Sequence, residues 1–271
     1  MTSDDTYLLG RSAGELRRLA RTAALIEPET EDLFRRSGIT AGMNVLEIGS
    51  GAGDVAMLVG RLVHPDGTVL GIERSADSVA LATQRAVGAA NGAVRFEVGD
   101  LNSYLPTGTY DALVGRFVLP YLADPIGTLR RLAGSVRPGG VIAFMEFDVR
   151  PIGSTPEAPL FRTVADWIVR AYEKSGIDPS LGSSLGVAFR DAGLRWPYMT
   201  SFQKASCGPN GIIWWFAEMV RTLLPRIIQS GLATVEEVDI DSLGTRLEEE
   251  AAAMRLTVFS PRWVSAWVRQ P

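Results

Sequence analysis

The sequence has almost none of the side chains on which metal and thiol chemistry depend. Its 271 residues include one cysteine, Cys207, and one histidine, His64. A lone cysteine forms no internal disulfide, which fits a reducing, cytoplasmic compartment. One Cys with one His leaves most zinc sites short of ligands, so no metal is expected. No run reaches the ~18 apolar residues of a membrane span. The stretch 212–228 comes nearest, and it is broken by Glu218, Arg221, Pro225 and Arg226. The opening Met1-Thr2-Ser3-Asp4-Asp5 is polar and acidic, unlike a secretory signal. An excess of positive charge is missing too: 27 Lys+Arg stand against 31 Asp+Glu, a net charge of −4. Nucleic-acid binding draws on clustered Lys and Arg, so that partner is not expected. The basic pairs Arg17-Arg18, Arg35-Arg36 and Arg130-Arg131 fall in helical patterns and read as solvated faces.

What is present is apolar residue in quantity, 46% of the chain, enough for one large domain or a domain with a cap. Residues 12–37 carry Leu16, Leu19, Ala23 and Ile26 at helical spacing, with Pro28 dividing them into two expected helices. From Met43 the pattern alternates. Strands are expected at 45–48, 68–72, 94–98, 111–115 and 141–147, with helices at 54–63, 76–90 and 126–136. Strands alternating with helices of this length imply an α/β fold with a parallel sheet and right-handed crossovers. Beyond Phe147 the rhythm breaks. Helices are expected at 158–175, 183–192, 210–229 and 235–253, and a strand at about 195–203. The segments 256–259 and 263–268 suggest a closing hairpin bent at Ser260-Pro261-Arg262.

The first strand runs into Glu47-Ile48-Gly49-Ser50-Gly51-Ala52-Gly53-Asp54. Glycines let the backbone turn sharply and approach a ligand closely, and the following helix offers unpaired N–H groups. The spacing Gly51-x-Gly53-x-x-Ala56 formally fits the dinucleotide fingerprint, which keeps a nicotinamide-dependent oxidoreductase open. Charge favours another cofactor. Glu47 before the turn and Asp54 at the helix start would both repel a pyrophosphate. S-adenosylmethionine instead brings an ammonium and a sulfonium, and only one carboxylate. Glu73, with Arg74 beside it, ends the second strand where an acid can accept from both ribose hydroxyls. Gly99-Asp100-Leu101 ends the third, where Asp100 and the Leu101 N–H can meet adenine. Ligands of open parallel sheets bind at these carboxyl ends.

These segments resemble the motif series of class I, Rossmann-like S-adenosylmethionine-dependent methyltransferases. Residues 45–53 resemble their first motif, and Glu73 and Gly99-Asp100-Leu101 the next two. Residues 110–116 resemble the fourth, and 132–144, with Arg137-Pro138-Gly139-Gly140, the approach to and course of strand five. The resemblance is close over 41–148 and is nearest to the small-molecule type, including the ubiquinone/menaquinone-biosynthesis and natural-product enzymes. It implies a seven-stranded, mostly parallel sheet in the order 3-2-1-4-5-7-6. It also implies that Gly49, Ser50, Gly51 and Gly53 cradle the methionine part, that Glu73 holds the ribose, and that Asp100 and Leu101 hold the adenine. Arg116 would supply a backbone carbonyl near the amino group. Tyr7-Leu8-Leu9-Gly10-Arg11-Ser12 resembles an opening segment that closes over the cofactor, which would bring Tyr7 and Arg18 to the methionine part. Thr22 stands where such relatives carry Gln.

The expected organisation is an N-terminal helical lid at 1–40 and a cofactor-binding core at 41–150. A helical substrate cap at 151–254 and a final strand at 255–271 complete it. All six tryptophans follow residue 150. Trp263 and Trp267 read as sheet packing; Trp167, Trp196, Trp214 and Trp215, with Tyr172, read as an acceptor pocket for an aromatic or apolar small molecule such as a specialised metabolite. A homodimer is a candidate assembly. His64 follows the first crossover helix, at the wrong end of the strands for a base. Glu146 and Glu173 are the first choices for one, and each reads equally well as a structural anchor. The missing histidine tilts the expectation toward N- or C-methylation over O-methylation. A quinone-precursor C-methyltransferase is the nearest alternative within the family.

Overall fold

A computed structural model describes residues 13–88, 93–208 and 211–271, with side chains of the first helix from residue 18 onward. Helix α1 (Ala13–Ser37) leads into an alternating series: β1 (Asn44–Ile48), α2 (Asp54–Val63), β2 (Thr68–Glu73), α3 (Ala76–Gly88), β3 (Val94–Val98) and β4 (Tyr110–Arg116). A 3-10 turn (Leu119–Tyr121), α4 (Pro125–Ala133) and β5 (Val136–Asp148) follow. The remainder is β6 (Gly153–Thr155), α5 (Pro159–Lys174), α6 (Leu181–Asp191), β7 (Tyr198–Cys207), α7 (Ile213–Gln229), α8 (Val235–Val238), α9 (Ile240–Met254) and β8 (Thr257–Arg269).

The sheet order is β3-β2-β1-β4-β5-β8-β6, with β7 also pairing β8. Neighbours β3, β2, β1, β4 and β5 are parallel. The expected order is therefore kept, with the C-terminal strand between β5 and β7, and the strand count is eight because three-residue β6 adds to the seven expected. Parallel strands covered on both faces should be continuous apolar runs. Val45, Leu46, Ile48, Leu113, Val114 and 141–144 are all buried, each worth roughly 1.5–3 kcal/mol if a large aliphatic side chain.

Two expectations are corrected. The helix at 13–37 is continuous through Pro28; Pro28 is exposed, while Ile26, Thr30, Leu33 and Phe34 bury the opposite face. Packing of that stripe outweighs the lost backbone bond. The closing hairpin is one strand, β8, which runs through Pro261 without a break. The Lys204 N–H of β7 is taken by the Ser260 hydroxyl at 2.9 Å, and Gln203 Nε2 donates to the Ser260 carbonyl at 2.7 Å. Side chains thus bridge the place where proline cannot serve the ladder.

The chain divides into two compact units. One comprises the segment up to Thr22, Phe147–Leu181 and Ser201–Trp263. In it α5, α7 and α9 pack together, with Phe161 edge-on to Phe216 at 5.3 Å. Buried Asp148 is paired with Arg262 at 2.7 Å. The other unit comprises Ala23–Glu146, Gly182–Thr200 and Val264–Pro271, and it contains the glycine turn.

Candidate functional site

The turn between β1 and α2 follows from its glycines. Gly49, Gly51 and Gly53 have φ of 67°, 52° and 85°, a region that costs other residues about 1–2 kcal/mol. The surroundings of the three differ. A Cβ on Gly49 would lie 2.5 Å from Val118 Cγ2, and one on Gly53 would lie 2.7 Å from the Phe96 ring. One on Gly51 would meet nothing within 4 Å. The backbone is thus packed at both ends of the turn and open in its middle. Gly71, inside β2, is required as well: its Cβ would lie 2.9 Å from Ser50 Cβ.

Glu73 ties the strand tips together. Its Oε2 accepts from the Gly51 N–H at 3.2 Å and its Oε1 from the Ser75 N–H at 3.0 Å. A carboxylate has about four acceptor positions, so two donors leave room for ribose hydroxyls. Asp100 is exposed, and its Oδ1 accepts from the Asn102 backbone N–H and side-chain amide at 3.0 and 2.8 Å. Leu101 is buried, and its carbonyl accepts from Arg131. Arg74 is exposed beside Glu73.

Glu47 is 1% exposed with Oε2 unpartnered among the described residues, and the buried Ser50 Oγ is unpartnered too. Burial pushes the Glu47 carboxyl up to about 8, against the opposing pull of Arg116 and with added push from Asp54 and Glu73. Arg116 is lowered by the same burial, and its guanidinium donates to Thr30 Oγ1 of α1 at 3.0 Å. Asp54, the first residue of α2, is paired with Arg85 at 2.6 Å, and Arg85 also donates to the Ala52 carbonyl. Asp54 is balanced and Glu47 is neutral near pH 7, so neither places a free negative charge against a pyrophosphate. What remains open beside the turn is one oxygen of a buried carboxyl, Glu47 Oε2, while the Ala56 N–H bonds the same group.

Glu146 is completely buried in β5, and its Oε1 accepts from the Val118 and Leu119 N–H groups at 3.1 and 3.0 Å. Burial raises it to about 8, partly offset by those two bonds. Glu173, in the other unit, is exposed on α5 and paired with Arg150 at 2.8 Å. In that unit Tyr172 and Trp215 are core residues, 1% and 3% exposed, with Tyr172 5.4 Å from the Phe147 ring. Trp167 is buried as well, whereas Trp214 is half-exposed beneath the Arg21 guanidinium at 3.9 Å. Trp263 packs on Phe202 and Trp267 on Tyr198. Arg18 is buried; Tyr7 lies outside the described residues. His64 directly follows α2, and Cys207 is exposed at the end of β7. Among the described residues no cluster of three His, Cys, Asp or Glu is placed to hold a metal, and no helix is long and apolar enough to cross a membrane.

The residues that sequence reasoning missed are Gly71, Arg85, Val118 and Leu119. Gly71 stands out as a glycine within an apolar strand, a pattern that marks a close approach. The other three act through partners 27 to 69 residues away in sequence, and no local pattern marks them.

A parallel sheet ending in an open glycine turn, with acids at successive strand tips, defines a Rossmann-like α/β protein that binds a nucleoside-bearing cofactor. Residues 39–173 match the family model described as Methyltransferase domain. Over those residues, about half of the chain, it carries a methyltransferase domain. It is 34% identical over 113 residues to a trans-aconitate 2-methyltransferase of Methylobacterium nodulans, covering 41% of each chain. It is 27% identical over 125 residues to a ubiquinone/menaquinone biosynthesis C-methyltransferase of Geobacter sulfurreducens, covering 45% of this chain and 46% of the relative. The matched stretch thus spans less than half of these curated relatives. Among solved structures, a methyltransferase-titled protein of Bacillus halodurans superposes with a TM-score of 0.60 at 14% identity, over 90% of this chain and 99% of that one. At that identity the likeness establishes the fold alone.

Proposed function

We propose that this protein transfers a methyl group from S-adenosylmethionine to a small organic acceptor. The observation that carries the reading is the open turn at Gly51, bounded by Glu73 and by the unpartnered Glu47 Oε2 and Ser50 Oγ. These groups fit the cofactor: the bare backbone admits close approach, Glu73 has acceptor positions left for a ribose, and Glu47 Oε2 is open to a hydrogen-bonding partner. Gly49, Ser50, Gly51, Gly53, Glu47 and Arg116 would hold the methionine part. Glu73 and Arg74 would hold the ribose, and Asp100 and Leu101 the adenine. Bound there, the cofactor supplies a methyl on an activated sulfonium. The chain's own task is alignment and exclusion of water.

Of the aromatic set Trp167, Tyr172, Trp214 and Trp215 in the cap proposed at 151–254, three are buried, so the acceptor reading rests on Trp214. Trp214, half-exposed under Arg21, is the member best able to touch a ligand. A specialised metabolite with an aromatic or apolar acceptor, methylated on N or C, is the preferred class. The names of the two relatives, one acting on trans-aconitate and one in quinone biosynthesis, support a small-molecule acceptor and keep quinone-precursor C-methylation as the alternative. The reading places the protein in the cytoplasm, with no nucleic-acid partner and a homodimer as its candidate assembly.

Calorimetry on purified protein tests the first step. S-adenosylmethionine and S-adenosylhomocysteine should both release heat of binding, and a nicotinamide dinucleotide should not. Tight uptake of the dinucleotide alone would replace this reading with the oxidoreductase one. A panel of aromatic amines, quinols and carboxylates, scored by S-adenosylhomocysteine formation, then narrows the acceptor.

A further inference from the structure

Glu146 is the least expected polar group in the sheet. It lies in β5 between Met145 and Phe147, is wholly buried, and directs one oxygen at two successive backbone donors. Those donors, Val118 and Leu119, lie in the loop after β4 and at the start of the 3-10 turn. The loop starts with Phe117 at φ 57°, whose N–H bonds the Met145 carbonyl at 2.9 Å, and continues into the 3-10 turn. The Val118 side chain rests on Gly49 so closely that no Cβ fits between them. An unbroken series of contacts therefore runs from Glu146 through Val118 to the first glycine of the cofactor turn, all within one compact unit.

We propose that Glu146 is a positioning residue for the methionine end of the cofactor site: it fixes the loop after β4, whose Val118 seats the Gly49 turn, and it is not a base. This rests on the functional reading above. The geometry needs an acceptor and no negative charge, because a single oxygen takes both N–H groups while Oε2 is bonded to nothing among the described residues. A neutral carboxyl, favoured by the burial that lifts it to about 8, offers the same carbonyl oxygen. A glutamine offers it too. As a base, Glu146 would need an open oxygen facing a reactant, and its burial denies that.

The cofactor's two ends separate this role from plain stabilisation. Adenosine probes Glu73 and Asp100, at the β2 and β3 tips; S-adenosylhomocysteine adds the part that meets the β1 turn. Calorimetry is run with both ligands on wild type, Glu146→Gln, Glu146→Ala and Val118→Ala. Glu146→Gln should match wild type. Glu146→Ala should bind S-adenosylhomocysteine at least about tenfold more weakly, with adenosine affinity unchanged. Val118→Ala, which keeps both N–H bonds and removes the methyl groups over Gly49, should show the same selective loss in smaller measure. Equal loss of both ligands in Glu146→Ala, or failure of Glu146→Gln to preserve binding, overturns the proposal. If Glu146→Ala does not fold, Val118→Ala decides: unchanged S-adenosylhomocysteine affinity overturns the proposal. Wild type that ignores S-adenosylhomocysteine sinks the functional reading itself, a separate result.

Discussion

At Gly49 and Gly51 an added methyl group meets two different surroundings, and the consequences should differ in kind. Gly49→Ala combines a left-handed backbone with a collision against buried Val118. Its cost should be about 2–4 kcal/mol of stability, from the conformational and overpacking terms together. Gly51→Ala has the backbone term alone, about 1 kcal/mol, because its surroundings are open. Its Cβ would instead occupy the cradle, so S-adenosylhomocysteine binding should fall more than tenfold while the fold is largely kept. Urea unfolding and calorimetry on the two variants check the contrast, and a Gly51→Ala protein with wild-type affinity would remove the cradle from the argument. The buried carboxyls make a second prediction at this scale. Glu47 and Glu146 are both raised from 4.5 to about 8 in the folded protein. Between those values the folded state binds more protons than the unfolded one, so the contribution of these two groups to stability is greatest below pH 4.5, falls as pH rises, and levels off above 8. Asp111 is lowered by the Asn44 N–H and by Arg137, and acts oppositely, losing its contribution only below its ordinary value. Urea midpoints should therefore drop between pH 5 and 8.5, and Glu146→Gln should remove about half of that drop, since two groups share it. An unchanged slope in the variant would contradict the burial assigned to this carboxyl.

Among the elements, α5 shows how one side chain secures a helix. The first turn has no side-chain cap from its own N-cap residue, Ala158. Glu250 of α9 takes that place, accepting the Leu160 and Phe161 N–H groups at 3.0 and 3.2 Å. Glu250→Ala should cost about 1–3 kcal/mol, the range for orphaned donors and a lost cap. Glu250→Gln, which keeps one acceptor, should cost less; denaturant midpoints decide, and equal midpoints for wild type and Glu250→Ala would refute the capping role. Glu250 is invisible in the sequence for the reason Arg85 and Val118 are: its partners come from a distant element. The elements themselves were easier to read. β1, β3 and α2 are legible because apolar runs and glycine or Asn-Gly punctuation lie within a few residues of one another. Legibility fails where proline sits in an element that tertiary packing continues, as at Pro28 in α1 and Pro261 in β8. At both sites the local rule reads a break, and the buried stripe of α1 or the Ser260 bond to β7 overrules it. The candidate site follows the same division. Its glycines and strand-tip acids are legible by spacing. The neutral state of Glu47 and the Asp54–Arg85 pair are not, because burial and partnership are properties of the folded unit.

For the whole molecule, the decisive quantity is which ligand shifts the folding equilibrium. A ligand that binds only the folded state adds RT ln(1 + [L]/Kd), about 2.7 kcal/mol at a hundredfold excess over Kd. For a chain of this size that corresponds to a rise of roughly 5 °C in Tm. S-adenosylhomocysteine should produce such a rise, increasing with the logarithm of its concentration, while a nicotinamide dinucleotide should leave the transition in place. The shift should vanish in Gly51→Ala, where the turn is filled, and persist in Trp214→Ala, which alters the proposed acceptor surface and leaves the cofactor turn intact. A Trp214→Ala protein that keeps the thermal shift but loses turnover would place acceptor recognition in the aromatic unit. One that loses the shift as well would show that the cofactor site depends on more than the glycine turn and the strand-tip acids. Because Cys207 is the sole thiol and is exposed, a dye on it gives a second readout of the same transitions. Coincidence of the labelled-site and tryptophan signals, with ligand and without, would establish that the shift reports one cooperative event.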